Sequence, residues 1–524
     1  MNDPWWKSAV FYQIYPRSFC DTTGNGVGDL RGILAHLDHL AWLGVDGLWL
    51  SPFYRSPMRD FGYDVSDHRD VDPLFGTLDD FDALLEAAHV RGLRVLIDWV
   101  PAHTSSEHPW FIESCRSRTG RRRDWYVWRD SGPDGSPPNN WTSAFTGGSP
   151  AWTRDERTGQ LYLHSFLPEQ PDLNWRNPDV VAAMHETLRF WLRRGVDGFR
   201  ADVVHNILKD PELRDVASEL APLPHVVLND EPGTHALLRD IRRVLDEFDG
   251  NRLMVGEVFL LRTEQIVRYY GRGDELQLCF CFPPLFAPWE ADAWHEALAE
   301  TFGSFDPADA WPTWVLSNHD QPRHRTRYGG SERRARAAAV LLLSLRGTPF
   351  LYMGEELGLE DAHVPRERAV DPGGRDGCRA PLPWDASPNH GWAAEPWLPW
   401  PPECDRRDVA TQRRAPDSIL ALYRRLIAAR RHSPALHGGK LDLLPGPIDV
   451  LIYRRHAALD ERLIAINFGD GLVRLGTEIG GWVEVSSEGR GEGERFSGSL
   501  EPGEAVVLVT HPERDRGVLG ELRG

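Results

Sequence analysis

Only three of the 59 basic residues in this 524-residue chain are lysines, Lys7, Lys209 and Lys440. A Schiff-base mechanism therefore has almost no candidates. Cysteine is sparse as well. Six are scattered at positions 20, 115, 279, 281, 378 and 404, and no pair of them has metal-ligand spacing. Cys279 and Cys281 would share one strand face, as buried small hydrophobes do. Positive charge is in deficit, with 59 Lys and Arg against 78 Asp and Glu for a net charge of -19. That argues against nucleic acid and anionic membrane surfaces as partners and fits a neutral or cationic ligand. No apolar run approaches the roughly 18 residues of a membrane span. The opening MNDPWWKSAVFYQIYP has no basic start followed by an apolar core. A soluble protein in a reducing, cytoplasmic setting is expected, with no membrane partner. Internal repeats and low-complexity tracts are absent.

What is present is a regular succession of short apolar runs: VFYQIYP (10–16), VDGLWLSP (45–52), LRVLIDWVP (93–101), VDGFRADV (196–203), RLMVGEVF (252–259), LQLCFCFP (276–283), PTWVLSNHD (312–320) and TPFLYMGEE (348–356). Between them lie helix-like stretches such as 78–92 and 177–195, each closing on a basic residue and then Gly. Continuous apolar strands alternating with helices mean a parallel sheet covered on both faces. Eight such units predict an α/β fold, a (β/α)8 TIM barrel, over residues 1–103 and 171–435. Residues 104–170 lack a sustained helical period and read as an irregular insertion after strand three. Residues 206–250 read as a second, partly helical insertion after strand four. Beyond the helix at 416–431, the alternating runs VLIYRRH, RLIAINFG and EAVVLVTH predict a C-terminal antiparallel β domain, a β-sandwich, over 436–524, with a frayed tail.

In such a barrel the active site lies at the carboxyl ends of the strands. Those ends carry Asp98 and His103 after strand three, Arg200 and Asp202 after strand four, Glu257 after strand five, and His319 and Asp320 after strand seven. Acids gathered on one rim without a metal-ligand cluster point to glycoside chemistry, with one carboxylate as nucleophile and one carboxylic acid as proton donor. Arg200 beside Asp202 is expected to keep it ionised. The apolar context MVGEVF is expected to raise the pKa of Glu257, as an acid catalyst requires.

Four of these stretches, DWVPAHT (98–104), GFRADVVHN (198–206), GEVF (256–259) and SNHD (317–320), resemble the signature regions of the α-amylase family of glycoside hydrolases, in order. QPDLNW (170–175), GVDGLWLSP and GTPFLYMGEELG (347–358) are similar to its oligo-1,6-glucosidase and α-glucosidase branch. The resemblance covers nearly the whole chain and implies a retaining enzyme acting on α-glucosides of short oligosaccharides. Carried over residue by residue, it implies Asp202 as nucleophile, Glu257 as acid/base and Asp320 as transition-state stabiliser. It also implies His103 and His319 bonding a bound glucose, Tyr63 stacking on its apolar face, and Asp60 with Arg379 clamping its far hydroxyls. Such a clamp closes the pocket, so attack is from the chain end. Val203 and the segment 226–248 would shape the sites beyond the first glucose. His205 stands where many amylases carry Lys, which disfavours long starch chains.

DTTGNGVGDL (21–30) places oxygen-bearing residues on alternate positions among glycines. It resembles the branch's calcium loop, implying Asp21, Thr23, Asn25, Asp29 and the carbonyl of Val27 as ligands for a structural calcium or magnesium ion. A phosphate-cradling glycine loop would need a following Lys, which is absent. Two other activities share this frame: an isomerase or glucosyltransferase such as a trehalose synthase or sucrose-active enzyme, and a catalytically silent transporter subunit. The oligomeric expectation is a monomer or homodimer.

Overall fold

In the computed structural model, residues 4–510 are described; the tail expected to fray lies outside them. Eight parallel strands follow the apolar runs: β1 (Phe11–Ile14), β2 (Gly47–Leu50), β3 (Arg94–Trp99), β4 (Gly198–Ala201), β5 (Leu253–Gly256), β6 (Leu278–Cys279), β7 (Thr313–Val315) and β8 (Thr348–Tyr352). They pair in the order β6-β5-β4-β3-β2-β1-β8-β7. The two ends of that order meet at a single parallel bridge, Phe280 to Thr313, where Thr313 Oγ1 donates to the Cys279 carbonyl at 2.7 Å. The sheet is thus a nearly closed barrel.

Alternate residues of each strand point to the same side. Phe11, Trp49, Leu96, Leu253, Val255, Leu278, Phe280 and Phe350 form one buried cluster with their neighbours, and the Phe11 and Phe350 rings stack at 4.6 Å. Large side chains fill the barrel, so no pore runs through it. The helices expected from the sequence span Leu78–Val90, with a Thr77/Asp80 capping box, and Pro178–Arg194, ended by Gly195 at φ 105°. A right-handed helix stops where a residue without Cβ can take the left-handed conformation.

The insertion after β3 is more regular than expected. It holds a three-stranded antiparallel sheet with Leu161–Leu163 between Trp128–Arg129 and Trp152–Arg154. Strands of two or three residues are too short for a period to show in sequence. The second insertion carries a single helical turn, His225–Val227, and the helix Thr234–Asp246. After the helix Ile419–His432, a five-stranded antiparallel sheet begins at Lys440. A two-stranded ribbon, Val473–Arg474 with Ser499–Leu500, contributes to the apolar cluster on one of its faces. Among the described residues, no helix is long and apolar enough to cross a membrane.

Candidate active site

Strand register brings the central acids together. Asp98 pairs with Arg200 across β3 and β4, and Ala201 pairs with Gly256 across β4 and β5. Asp202 and Glu257 are therefore the first residues past the paired ends of adjacent strands. Gly198 allows that approach, since a Cβ there would lie 2.0 Å from the Leu253 carbonyl oxygen. The chain then turns sharply at Val203, whose φ of 32° is rare for a β-branched residue. The turn aims the Val203 N–H at Glu257 Oε2, 3.0 Å away. Backbone strain here holds a functional group in place.

One guanidinium organises the floor of the site. Arg200, 2% exposed, reaches Asp98 at 2.6 Å, Asp202 at 2.7 Å and Glu257 at 2.6 Å. Burial pushes the Asp202 carboxyl well above its usual range; Arg200 pulls it down, while Glu257, Asp98 and Asp320 push it up. Arg200 sits where the sequence puts it, favouring the ionised form of Asp202, while burial and the neighbouring acids oppose it. Asp98 is raised to about 6, by burial first and against Arg200. It takes the Trp49 indole N–H at 2.9 Å and positions Arg200 from beneath.

Asp320 behaves oppositely. Burial would raise it, but His319, Arg375, Arg379 and Arg200 together hold it below the usual carboxylate range. Burial lowers His319 to about 3, so the ring is neutral near pH 7 and the arginines supply the charge. The Gln13 amide donates to His319 Nδ1 at 2.7 Å. The ring proton is therefore on Nε2, facing the Tyr63 hydroxyl at 2.6 Å and Asp320 Oδ2 at 3.2 Å. His319 is fully buried and stacks under Tyr63 at 5.3 Å. It holds Tyr63 and Asp320, both of which line the cavity.

These groups open on a cavity of about 390 Å³, within the range of small-ligand sites. Its polar lining includes Asp60, Tyr63, His103, Asp202, Glu257, Asp320 and Arg375. Phe145 and Phe166, from the insertion after β3, and Val226 and Val227, from the second insertion, line it as well, with Phe259, Phe282 and Leu285 from the ends of β5 and β6. Burial lowers His103 to about 4. The ring is a neutral hydrogen-bonding group, held by the Tyr63 carbonyl at 3.2 Å.

The clamp is made by a different arginine from the one expected. Asp60 pairs with Arg375 at 2.5 Å, and Arg375 also reaches Asp320 at 2.8 Å and Asp371 at 2.7 Å. Arg379 is fully buried; it grips Asp371 at 3.1 Å, Asp320 at 3.2 Å and the His319 carbonyl at 2.8 Å. Arg379 thus braces the clamp from behind. Arg375, four residues earlier, lines the cavity and lies 4.4 Å from the Phe145 ring. The paired arginines of GGRDGCRAP were the only signal. Gln170, in QPDLNW, orients Asp60 from the other side at 2.9 Å. His205 is buried away from the cavity, with its ring nitrogens near the carbonyls of Val226 at 2.9 Å and Glu257 at 3.3 Å.

The 21–29 loop is organised by its two aspartates. Asp21 accepts the N–H groups of Thr23 and Gly24 at 2.8 Å and of Gly26 at 3.0 Å. Asp29 takes Thr22 N–H at 2.8 Å and caps the helix Leu30–Ala35 through Gly32 N–H at 2.7 Å. Asn25 Oδ1 accepts Val27 N–H at 2.8 Å. Carboxylate oxygens retain a second lone pair after such bonds, so two charges and several neutral oxygens fit a weak site for a hard cation.

A barrel with carboxylates on adjacent strand ends, a third acid lining the same cavity and an aspartate–arginine pair beside them defines an enzyme that works on glycosidic bonds. The Alpha amylase, catalytic domain family matches residues 13–439, and the chain belongs to that family. It is 44% identical over 499 residues to the "Probable alpha-glucosidase" of Rhizobium meliloti (strain 1021), spanning 89% of this chain and 90% of that one. It is 39% identical over 520 residues to the "Oligo-1,6-glucosidase" of Parageobacillus thermoglucosidasius, spanning 90% and 91%. Among solved structures, the alpha-glucosyl transfer enzyme XgtA superposes with a TM-score of 0.90 at 39% identity, over 97% of this chain and 100% of that one.

Proposed function

We propose that this protein is a retaining, exo-acting α-glucosidase that removes terminal α-linked glucose from short oligosaccharides. The observation that carries the reading is one cavity lined by Asp202, Glu257 and Asp320 together with the Asp60–Arg375 pair, which also ties Arg375 to Asp320. An ion pair in that lining offers charged partners to the free hydroxyls of a terminal glucose, which is the basis for action at a chain end. Asp202 attacks the anomeric carbon while Glu257 gives its proton to the departing glycosidic oxygen, and a glucosyl ester on Asp202 forms as the C–O bond breaks. Glu257, now a carboxylate, takes a proton from water, whose oxygen displaces Asp202 and releases α-glucose. Asp320, kept ionised by Arg375 and Arg379, and neutral His103 hold sugar hydroxyls through both steps.

The apolar wall of Phe259, Phe282, Leu285, Val226 and Val227 favours a second reading, transfer of the glucosyl group to another alcohol when water is kept from the ester. The three acids around one cavity favour a working enzyme over a silent transporter subunit. A divalent ion in the 21–29 loop belongs to the proposal as a structural element, held by Asp21, Asp29, Thr23, Asn25 and the Val27 carbonyl; it would supply rigidity and takes part in no step. The expected setting is the cytoplasm, and the expected assembly a monomer or homodimer. Product analysis with maltose, sucrose and trehalose, with proton NMR of the first glucose released, tests the reading. α-Glucose as main product supports it. β-Glucose overturns the mechanism, and rearranged disaccharides as main product establish an isomerase instead.

A further inference from the structure

Between β8 and the helix Val409–Arg414 runs a long segment with no strand or α-helix, only a short turn at Asp376–Arg379. It carries the clamp arginine just before that turn and packs on the 21–29 loop further along, where Ala393 N–H meets the Asp21 carbonyl at 3.1 Å and Trp397 N–H the Gly26 carbonyl at 2.9 Å. Near its end, His390, Cys404 and Asp405 place one donor atom each within 4.8 Å of one another. We propose that these three residues bind a first-row transition-metal cation, zinc foremost, with water in the fourth position.

Two of the three ligand-atom separations match those of a tetrahedral centre, and the third lies within 4.8 Å. With metal–nitrogen, –sulfur and –oxygen bonds of about 2.0, 2.3 and 2.1 Å, the ligand atoms stand about 3.5 Å apart for N and S and about 3.4 Å apart for N and O. Here His390 Nε2 lies 3.4 Å from Cys404 Sγ and 3.6 Å from Asp405 Oδ1. The histidine is also oriented for the task. Its Nδ1 is 3.0 Å from the Asp385 carbonyl, which can only accept, so Nδ1 carries the proton and Nε2 presents its lone pair. Metal-bound histidines are fixed by this kind of outer contact. A lone S–H to nitrogen hydrogen bond would account for His390 and Cys404 but would need no third, anionic group. His390 is 6% exposed, whereas the Asp405 side chain is 94% exposed, which leaves an entry path from solvent. On binding, the thiol proton of Cys404 passes to solvent water and sulfur takes the metal. The ion would tie residue 390 to residue 405 and hold the end of the irregular segment closed.

The test uses the full-length protein, stripped with a chelator and titrated with cobalt(II), whose bond to a thiolate gives a near-ultraviolet charge-transfer band. One equivalent should develop the band, zinc should abolish it, and excess calcium should leave it, which separates this site from the oxygen-lined 21–29 loop. Cys404→Ser should lose the band while keeping the metal-free melting temperature and α-glucosidase activity. Cys115→Ser, a buried cysteine in the first insertion, should keep it. Asp405→Asn, at an exposed position that cannot upset folding, should shift the titration to higher cobalt. No band in the unmodified protein, a band undiminished in Cys404→Ser, or an unmoved midpoint in Asp405→Asn overturns the site.

Discussion

Replacing Arg375 by alanine separates the two arginines of the clamp. Its guanidinium contacts Asp60 at 2.5 Å, Asp320 at 2.8 Å and Asp371 at 2.7 Å, and it lines the cavity. Without it, Asp320 and Asp371 keep only Arg379, and Asp60 has no cation within bonding distance. A charge-assisted hydrogen bond is worth about 1.5–3 kcal/mol. Loss of one such contact to the terminal glucose in the transition state lowers kcat/KM roughly 10- to 150-fold. Breaking a buried ion pair from one side also costs stability, on the order of 3–5 kcal/mol. Arg375→Lys keeps the charge without the fork and should fall between. Arg379→Ala should show mainly the stability loss, because that side chain is fully buried behind the clamp. The assay is kcat/KM on maltose, isomaltose and an aryl α-glucoside beside thermal melts of the same variants. Wild-type kcat/KM in Arg375→Ala, with selective loss of exo-activity at unchanged melting temperature in Arg379→Ala, would refute the assignment and restore Arg379 as the clamp.

Glu257→Gln should cripple natural disaccharides yet spare the first step on aryl glucosides, which need little protonation, whereas Asp202→Asn should abolish turnover on both; steady turnover by Asp202→Asn removes the covalent step. A divalent ion bound only by the folded state should raise the melting temperature by mass action, so identical melts with chelator and with excess calcium would take the metal out of the 21–29 loop. Burial lowers His36, His68, His103 and His205 from 6.5 to about 4 each. Each stays neutral when folded but is protonated when unfolded, so its contribution is present above about pH 6.5 and lost as pH falls toward about 4, at roughly 1.4 kcal/mol per pH unit and ring. Urea midpoints should therefore drop steeply over that interval; a flat profile would show the rings already charged in the folded state.

The eight strands were legible because each is a local pattern: a short apolar run bounded by turn residues, followed by a helix with a Gly stop such as Gly195. The acids were legible because they sit one residue past the end of such a run, as Asp202 follows Gly198–Ala201 and Glu257 follows Leu253–Gly256. The short insertion strands were not, since two or three residues show no period. Arg375 was missed because nothing local distinguishes it from Arg379 within an irregular segment.

The sequence alone therefore determined the barrel, the order of its strands and the identity of the acids on its rim, because periodicity and strand ends are properties of neighbouring residues. Tertiary structure decided which arginine meets Asp60, 315 positions away in the chain, and that His319 is held between Gln13, Tyr63 and Asp320. It also decided which charges surround each acid. Charge state depends on desolvation and on every charge packed nearby, and burial of Asp202 among Asp98, Glu257 and Asp320 opposes the single arginine beside it in sequence. Those distances exist only once the chain has closed on itself.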